Sequence, residues 1–481
     1  MEVKKKTLDL KCLFKRKIKM RSLTLTMCVV CLALAISGCA NLTAVDKPLS
    51  RWTPEVDHHF GERMAGDRSP ELLVLVAFSG GGTRAATFSY GVLKALAATE
   101  ITTANGQRSI LHEIDVISSV SGGSFTSVYY SLYGDRIFGE FEERFLRKNV
   151  EGALIGQVLN PINWVRLLSS TYGRSDLAAR YYDKILFDNA TFADLHRPGA
   201  PLVFINATDL ATGVRFPFNQ WMFDLICADL DQYPVSRAVA ASSAVPIVLS
   251  PITLKSFAGS CGYKPPAWLD EAKKDEMVTY RKLEARDLEN YLDQKKRPWV
   301  HLVDGGIADN LGLRSFYNSV RLIGDPHLAF DKFGHPDVRQ ILIISVNSRA
   351  RKEPDWALER AAPSLTQIIG STSSDQIARY SADTLDLVRS AYKKWTEQVS
   401  TSEHPVSFNF VEVSFESVRD DAERHFLNNI GTNFDLNDEQ VDRLISAAGQ
   451  VLRESREFKE FLERNNGSGD KKQETLGAKS P

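Results

Sequence analysis

The stretch Asp115-Val-Ile-Ser-Ser-Val-Ser-Gly-Gly-Ser124 decides the fold, because it reads as a buried strand that breaks at a sharp turn and restarts as a helix. Val116 and Ile117 are the β-branched run of a strand, and Phe125, Val128 and Tyr129 then recur at helical spacing. Gly122 and Gly123 offer backbone without Cβ atoms where strand and helix must cross closely. Ser121 stands at the break. A hydroxyl held there projects from the strand end, backed by a helix N-terminus whose free N–H groups favour negative charge. That is the geometry of a nucleophile elbow. Of the elbow pattern Gly-Xaa-Ser-Xaa-Gly, Gly123 matches, while Ser119 replaces the first glycine. A Ser-Gly-Gly after an apolar run is more often a plain βα turn, so the elbow needs support from other stretches.

The first support lies upstream. Leu72-Leu-Val-Leu-Val-Ala-Phe78 is a continuous apolar strand that ends at Ser79-Gly-Gly-Gly-Thr-Arg84, and Phe88, Val92, Leu93 and Leu96 follow as an amphipathic helix. Three glycines let backbone N–H groups converge on an anion. The loop lacks the later glycine of a dinucleotide site and the Gly-Lys-Ser/Thr of a P-loop. An oxyanion hole from Gly81 and Gly82 remains, worth roughly 3 kcal/mol per donor. Arg84, a cation in the first turn of a helix, opposes the dipole and therefore needs a partner or braces the loop. The second support is Trp299-Val-His-Leu-Val-Asp-Gly-Gly306, a short strand that leaves the Asp304 carboxylate at its end. In an open parallel sheet such ends share one crevice, where Asp304 meets Ser121.

Composition bounds the rest. The 481 residues, 43% hydrophobic and 25% charged, suit a globular protein, and a net charge of −1 gives no field for nucleic acid. Only the N-terminus is basic: nine Lys and Arg residues between Lys4 and Arg21 precede the apolar run 23–36, the order of a secretory signal. Ile36-Ser-Gly-Cys39 ends that run and resembles a bacterial lipobox, which implies cleavage before Cys39 and acylation of it. Met20 is an alternative start, and Ala40 after the cysteine resembles outer-membrane sorting. The expected location is the cell envelope, lipid-anchored on the periplasmic side of the outer membrane if there are two membranes. Of six cysteines, Cys227 and Cys261 then remain to pair or stay free, and no Cys/His cluster has zinc spacing.

The expected organisation is a signal peptide over 1–38, a tether over 39–69, a catalytic body over 70–350, a mainly helical region over 351–465 and a disordered tail over 466–481. Within it, 202–206 and 340–346 read as buried strands, 214–218 as a hairpin partner and 406–413 as a further strand. The apolar residues Leu154, Val158 and those of 164–168 read as ordinary core. The polar insertion 263–298 reads as a surface helix docked by Met277, Tyr280, Leu288, Tyr291 and Leu292.

Gly80-Gly81-Gly82-Thr83-Arg84, the elbow at Ser121 and Asp304-Gly305-Gly306 together resemble the patatin-like phospholipase family, as does Ser243-Ala-Val-Pro-Ile247. The resemblance covers about 72–346. It implies a three-layer α/β patatin-like fold, with a mostly parallel central sheet flanked by helices and a helical C-terminal extension. It also implies a lipid acyl hydrolase without cofactor or metal. Ser121 would be the nucleophile, Asp304 the general base, and Gly80, Gly81, Gly82 and Arg84 the oxyanion loop, with a membrane lipid as substrate. Two alternatives stay open: a Ser-Asp-His triad using His327, His335, His404 or His425, and an inactive lipid-binding lipoprotein.

Overall fold

A strand with no polar side chain needs cover on both faces, and β1 (Leu72–Phe78) has it, with all seven residues buried. The computed structural model describes residues 45–53, 67–103, 105–169, 171–246, 248–351 and 354–477. The signal 1–38, Cys39 and most of 39–69 lie outside these. Alternate β1 side chains enter two cores: Leu72, Val74, Val76 and Phe78 face one, and Leu73, Leu75 and Ala77 the other. Two cores on one sheet make three layers.

β2 (Glu100–Thr103) and β3 (Gly106–Ser109) form a small hairpin. β4 (Ile114–Val120), β5 (Leu202–Asp209), β6 (Arg215–Phe218), β7 (Ile252–Lys255), β8 (Trp299–Asp304), β9 (Gln340–Asn347) and β10 (Ser407–Ser414) join β1 in the main sheet. Its order is β10-β9-β1-β4-β5-β8-β7, with β6 on β5. The strands from β10 to β5 are parallel. β6 and β8 pair with β5, and β7 with β8, in antiparallel fashion.

The helices relevant to the site are α1 (Gly82–Ala97), α2 (Gly122–Tyr133), α3 (Val150–Leu159), α4 (Pro161–Leu167), α5 (Arg174–Tyr182) and α6 (Val235–Ser242). The insertion carries α7 (Ala267–Lys273) and α8 (Tyr280–Glu289), and α9 (Gly306–Asp309) and α10 (Arg314–Ile323) follow β8. The C-terminal part holds α11 (Leu365–Val399), α12 (Asp438–Glu454) and α13 (Arg456–Gly477). This part continues the same body. β10 pairs with β9 along its whole length, and α12 crosses α1 so closely that a Cβ at Gly91 would stand 2.8 Å from the Ala448 Cβ.

Three expectations need correction. Leu288 and Tyr291 are buried as the insertion's stripe required, but Met277 is 75% exposed; Thr279 caps α8 by accepting from the Lys282 N–H, which leaves Met277 ahead of the helix. The tail read as disordered continues α13 to Gly477. Phe458 and Phe461 are buried and anchor that helix, and extending an anchored helix costs far less than nucleating one. Most of the apolar stretch of α3 and α4 is not core: Leu154 packs against it, but Leu159 is 67%, Trp164 55% and Leu168 66% exposed.

Cys227 and Cys261 form a disulfide, with Cα atoms 5.6 Å apart. Residues 45–53 of the supposed tether are strapped over it. The Leu49 N–H donates to Cys227 O and the Trp52 N–H to Cys261 O. The Lys255 N–H donates to the Asp46 carboxylate at 2.7 Å, and the Trp52 indole N–H reaches Asp224. The disulfide closes a loop with a separation of 34 residues, for which chain entropy gives about 3–4 kcal/mol. Cys227→Ser with Cys261→Ser should lower stability by that order in a denaturant titration, and an unchanged midpoint would count against it.

Candidate active site

β4 delivers Ser121 to the first crossing with α2, and the backbone there is strained, at φ 49°, ψ −120°. Such a conformation costs a residue other than glycine on the order of 1–3 kcal/mol. What holds it is visible. The Ser121 N–H donates to Ser242 Oγ at 2.8 Å, and that hydroxyl donates to Asn206 O at 2.6 Å. Asn206 Nδ2 donates to Ser118 Oγ and Ser119 O, and its Oδ1 accepts from Arg215 and Ser315. Close packing does the rest. A Cβ at Gly123 would lie 2.7 Å from the Phe78 Cβ, and one at Gly122 would lie 1.9 Å from Gly82 O.

Ser119 fits where glycine is usual because its hydroxyl has partners. It donates to Phe204 O at 3.3 Å and accepts from Ser127 Oγ at 2.7 Å. The elbow keeps its strain without the first glycine.

The glycine loop divides its work. Gly80 is no oxyanion donor, since its N–H is spent on Asn310 O at 3.0 Å. It provides space instead: a Cβ there would stand 3.3 Å from the Ser121 Cβ and 2.7 Å from Asn310 Oδ1. Gly81 and Gly82 have φ of 139° and 63°, which side chains disfavour. Neither N–H donates to any group among the described residues. A Cβ at Gly82 would lie 2.3 Å from Asn433 O, which itself accepts from the Thr83 N–H.

Arg84 braces this loop without touching Ser121. Nε donates to Ser348 O at 2.9 Å, Nη1 to Ile430 O at 2.5 Å and Nη2 to Thr432 Oγ1 at 3.0 Å. Burial pushes the guanidinium pKa down to about 10, so it is charged at neutral pH. Arg84→Lys should leave two of these acceptors unmet, at about 1–3 kcal/mol each. The expected result is a lower melting temperature and roughly tenfold slower turnover of a soluble ester, because loop position governs oxyanion contact. Unaltered turnover would assign Arg84 to stability alone.

Asp304 arrives from the other direction. β8 is antiparallel to β5, so Asp304 does not end a strand of the parallel set; apolar alternation in a short strand carries no sign of direction. Register still brings it level with the elbow. Val120 pairs with Asn206, and Ala207 with Asp304. The Asp304 carboxylate accepts the Gly306 N–H at 2.7 Å and lies close enough to the Ser121 hydroxyl to be pulled toward its ionised form. Burial raises the carboxyl pKa to about 6, against the opposing pull of Gly306 and Ser121.

The four histidines considered for a triad are elsewhere. His335 contacts Pro70 O and Asp115, at the far end of β4. His404 bonds Val338 O and His425 bonds Asn429, and the His327 backbone caps onto Asp325. None is hydrogen-bonded to Ser121 or Asp304. Among the described residues no group of three or more His, Cys, Asp or Glu side chains could hold a metal ion.

A family model described as patatin-like phospholipase matches residues 76–317, just over half of the chain. The chain belongs to the patatin-like phospholipase family. The matched span runs from β1 through the glycine loop, the elbow and Asp304 into α10. No curated protein matches the chain. Among solved structures, human GIVD cytosolic phospholipase A2 is similar at 13% identity and a TM-score of 0.42, with 86% of this chain and 67% of that chain covered. The same human enzyme in complex with methyl gamma-linolenyl fluorophosphonate gives 12% identity and a TM-score of 0.41, covering 89% and 67%.

Sequence reasoning missed Ser242 and Asn433. Ser242 lay one residue before the Ser243-Ala-Val-Pro-Ile247 block and was adjacent to a signal already noticed. Asn433 had no local signal at all.

Proposed function

We propose that the protein hydrolyses carboxylic esters of membrane lipids through a Ser121–Asp304 dyad. The observation that carries this is the strained Ser121, placed by strand register beside a carboxylate whose pKa burial has raised to about 6. Ser121 Oγ attacks the ester carbonyl carbon while Asp304 accepts its proton. The negative charge on the carbonyl oxygen falls to the Gly81 and Gly82 N–H groups. Collapse expels the alcohol, which takes the proton from Asp304, and leaves an acyl-serine. Asp304 then deprotonates a water, whose attack on the acyl carbon expels Ser121 Oγ; that oxygen takes the proton back from Asp304 as the fatty acid leaves.

A carboxylate of ordinary pKa is a weak base at neutral pH, and the raised value brings Asp304 closer to the working range. Cys39 is proposed as an acylated anchor in the bacterial envelope, on the periplasmic side of the outer membrane where there are two. The disulfide supports an oxidising compartment. Asp46 lies seven steps along the chain from Cys39, so acyl chains would hold the body within about 25 Å of the bilayer.

The test is lipid mass spectrometry on vesicles treated with the full chain, together with fluorophosphonate labelling. Free fatty acid and a lysolipid or glycerol product are expected, with the label on Ser121. Neither product nor label would end the proposal.

A further inference from the structure

The α3–α4 hairpin is the largest departure from ordinary packing in this chain. Its nineteen residues, 150–168, contain two charges, Glu151 and Arg166, yet Ile155, Leu159, Ile162, Trp164 and Leu168 are all exposed. Soluble surfaces rarely carry such a contiguous apolar patch without an occupant.

The feet of the hairpin are tied to two different segments that reach the site. At its start, the N–H groups of Val150 and Glu151 both donate to Phe434 O, and Asn149 reaches Asp435 at 2.9 Å. Residue 433, next along, is the one whose carbonyl packs on Gly82 and accepts from Thr83. After the hairpin, the Ser175 N–H donates to Ser250 Oγ. That segment begins at Ala244, whose carbonyl accepts the Asp304 N–H. One foot thus rests by the glycine loop, and the other is tied to the segment that leads from Asp304. Val245 and Val248, on the segment that runs on from Ala244, and Ile307, three residues past Asp304, are exposed apolar residues as well.

We infer that the hairpin is a docking element that lies in a lipid bilayer surface and seats the mouth of the site on it. The inference rests on the lipid-ester reading of that site. Two further observations favour a bilayer over a protein partner. First, the patch has the composition of an interfacial segment: a tryptophan and branched aliphatics, with Lys148 and Arg166 at its flanks to meet lipid phosphates. Second, the chain's N-terminal segment leads to the same end of the sheet. Ala207 pairs with Asp304 and Asp209 with Leu302, so Trp299 and its partner Lys255 rise beyond the carboxyl ends of the parallel strands. Asp46 is fastened to Lys255 there.

The experiment measures amide hydrogen exchange on the full chain carrying Ser121→Ala, with and without phosphatidylethanolamine/phosphatidylglycerol vesicles. Exchange across 150–168 should slow roughly tenfold on vesicles. The helix around Leu328, which precedes β9 at the opposite end of the sheet, should not change. Leu159→Glu with Ile162→Glu should remove the protection. In the active Ser121 background the same pair should cut hydrolysis of vesicle lipid about tenfold while sparing a soluble short-chain ester.

Unaltered exchange across 150–168 in protein that floats with the vesicles overturns the inference. So does a dimer, seen by sedimentation, that the double substitution splits without loss of vesicle protection. Protection of the hairpin by vesicles, in a chain whose Ser121 form cleaves no lipid, would uphold docking and reject the ester-hydrolase reading.

Discussion

Ser121→Ala is expected to abolish ester hydrolysis, lowering turnover by about 10⁴-fold or more, with the fold intact. The substitution removes one oxygen. The backbone that holds position 121 is fixed by groups the change does not touch: the N–H bond to Ser242, the Asn206 network and the close contacts of Gly122 and Gly123. Alanine at φ 49° bears the same strain as serine, so little stability should change. Ser121→Gly should be as inactive and about 1 kcal/mol more stable, because glycine takes a positive φ without penalty. Thermal melts and hydrolysis of a soluble ester check both. Near-normal turnover in either variant would remove Ser121 from the chemistry, and a Ser121→Gly protein less stable than Ser121→Ala would contradict the strain.

The parts of this site that were legible in the sequence are those in which a local pattern carries the physics. β1 and its glycine loop were readable because seven apolar residues followed by three glycines admit few conformations. The elbow was readable despite Ser119, whose fit depends on Phe204 O and Ser127 and could not be judged from its neighbours. The direction of β8 was not readable, since a short alternating strand looks the same from both ends. The partners of Arg84 were hidden for a different reason: Ile430 and Thr432 lie some 350 positions away, and the contact exists only once α12 packs on α1. The exposure of α3 and α4 was misjudged because apolarity records a preference for leaving water, without saying whether protein or lipid provides the alternative.

Asp304→Asn is expected to abolish hydrolysis and to stabilise the fold at neutral pH. Burial raises the Asp304 pKa from 3.8 to about 6. The folded state therefore holds a proton that the unfolded chain releases between those values, and stability falls as pH rises through that window. Above about pH 6 the buried charge costs the fold on the order of 2–3 kcal/mol. Asparagine removes the charge and keeps an oxygen to accept the Gly306 N–H, so the melting temperature should rise by a few degrees at pH 7.5 and hardly change at pH 4. Catalysis runs the opposite way. The base must be ionised, so kcat/KM for a soluble ester should climb through about pH 6 and level off above pH 7. Asp309, which burial also raises to about 6, is another carboxyl that titrates there, but it accepts the Arg314 N–H. Asp309→Asn should therefore keep the limb that Asp304→Asn destroys. A limb that follows Asp309, or an Asp304→Asn protein that is active or destabilised at pH 7.5, would show that the strained serine hands its proton to some other group.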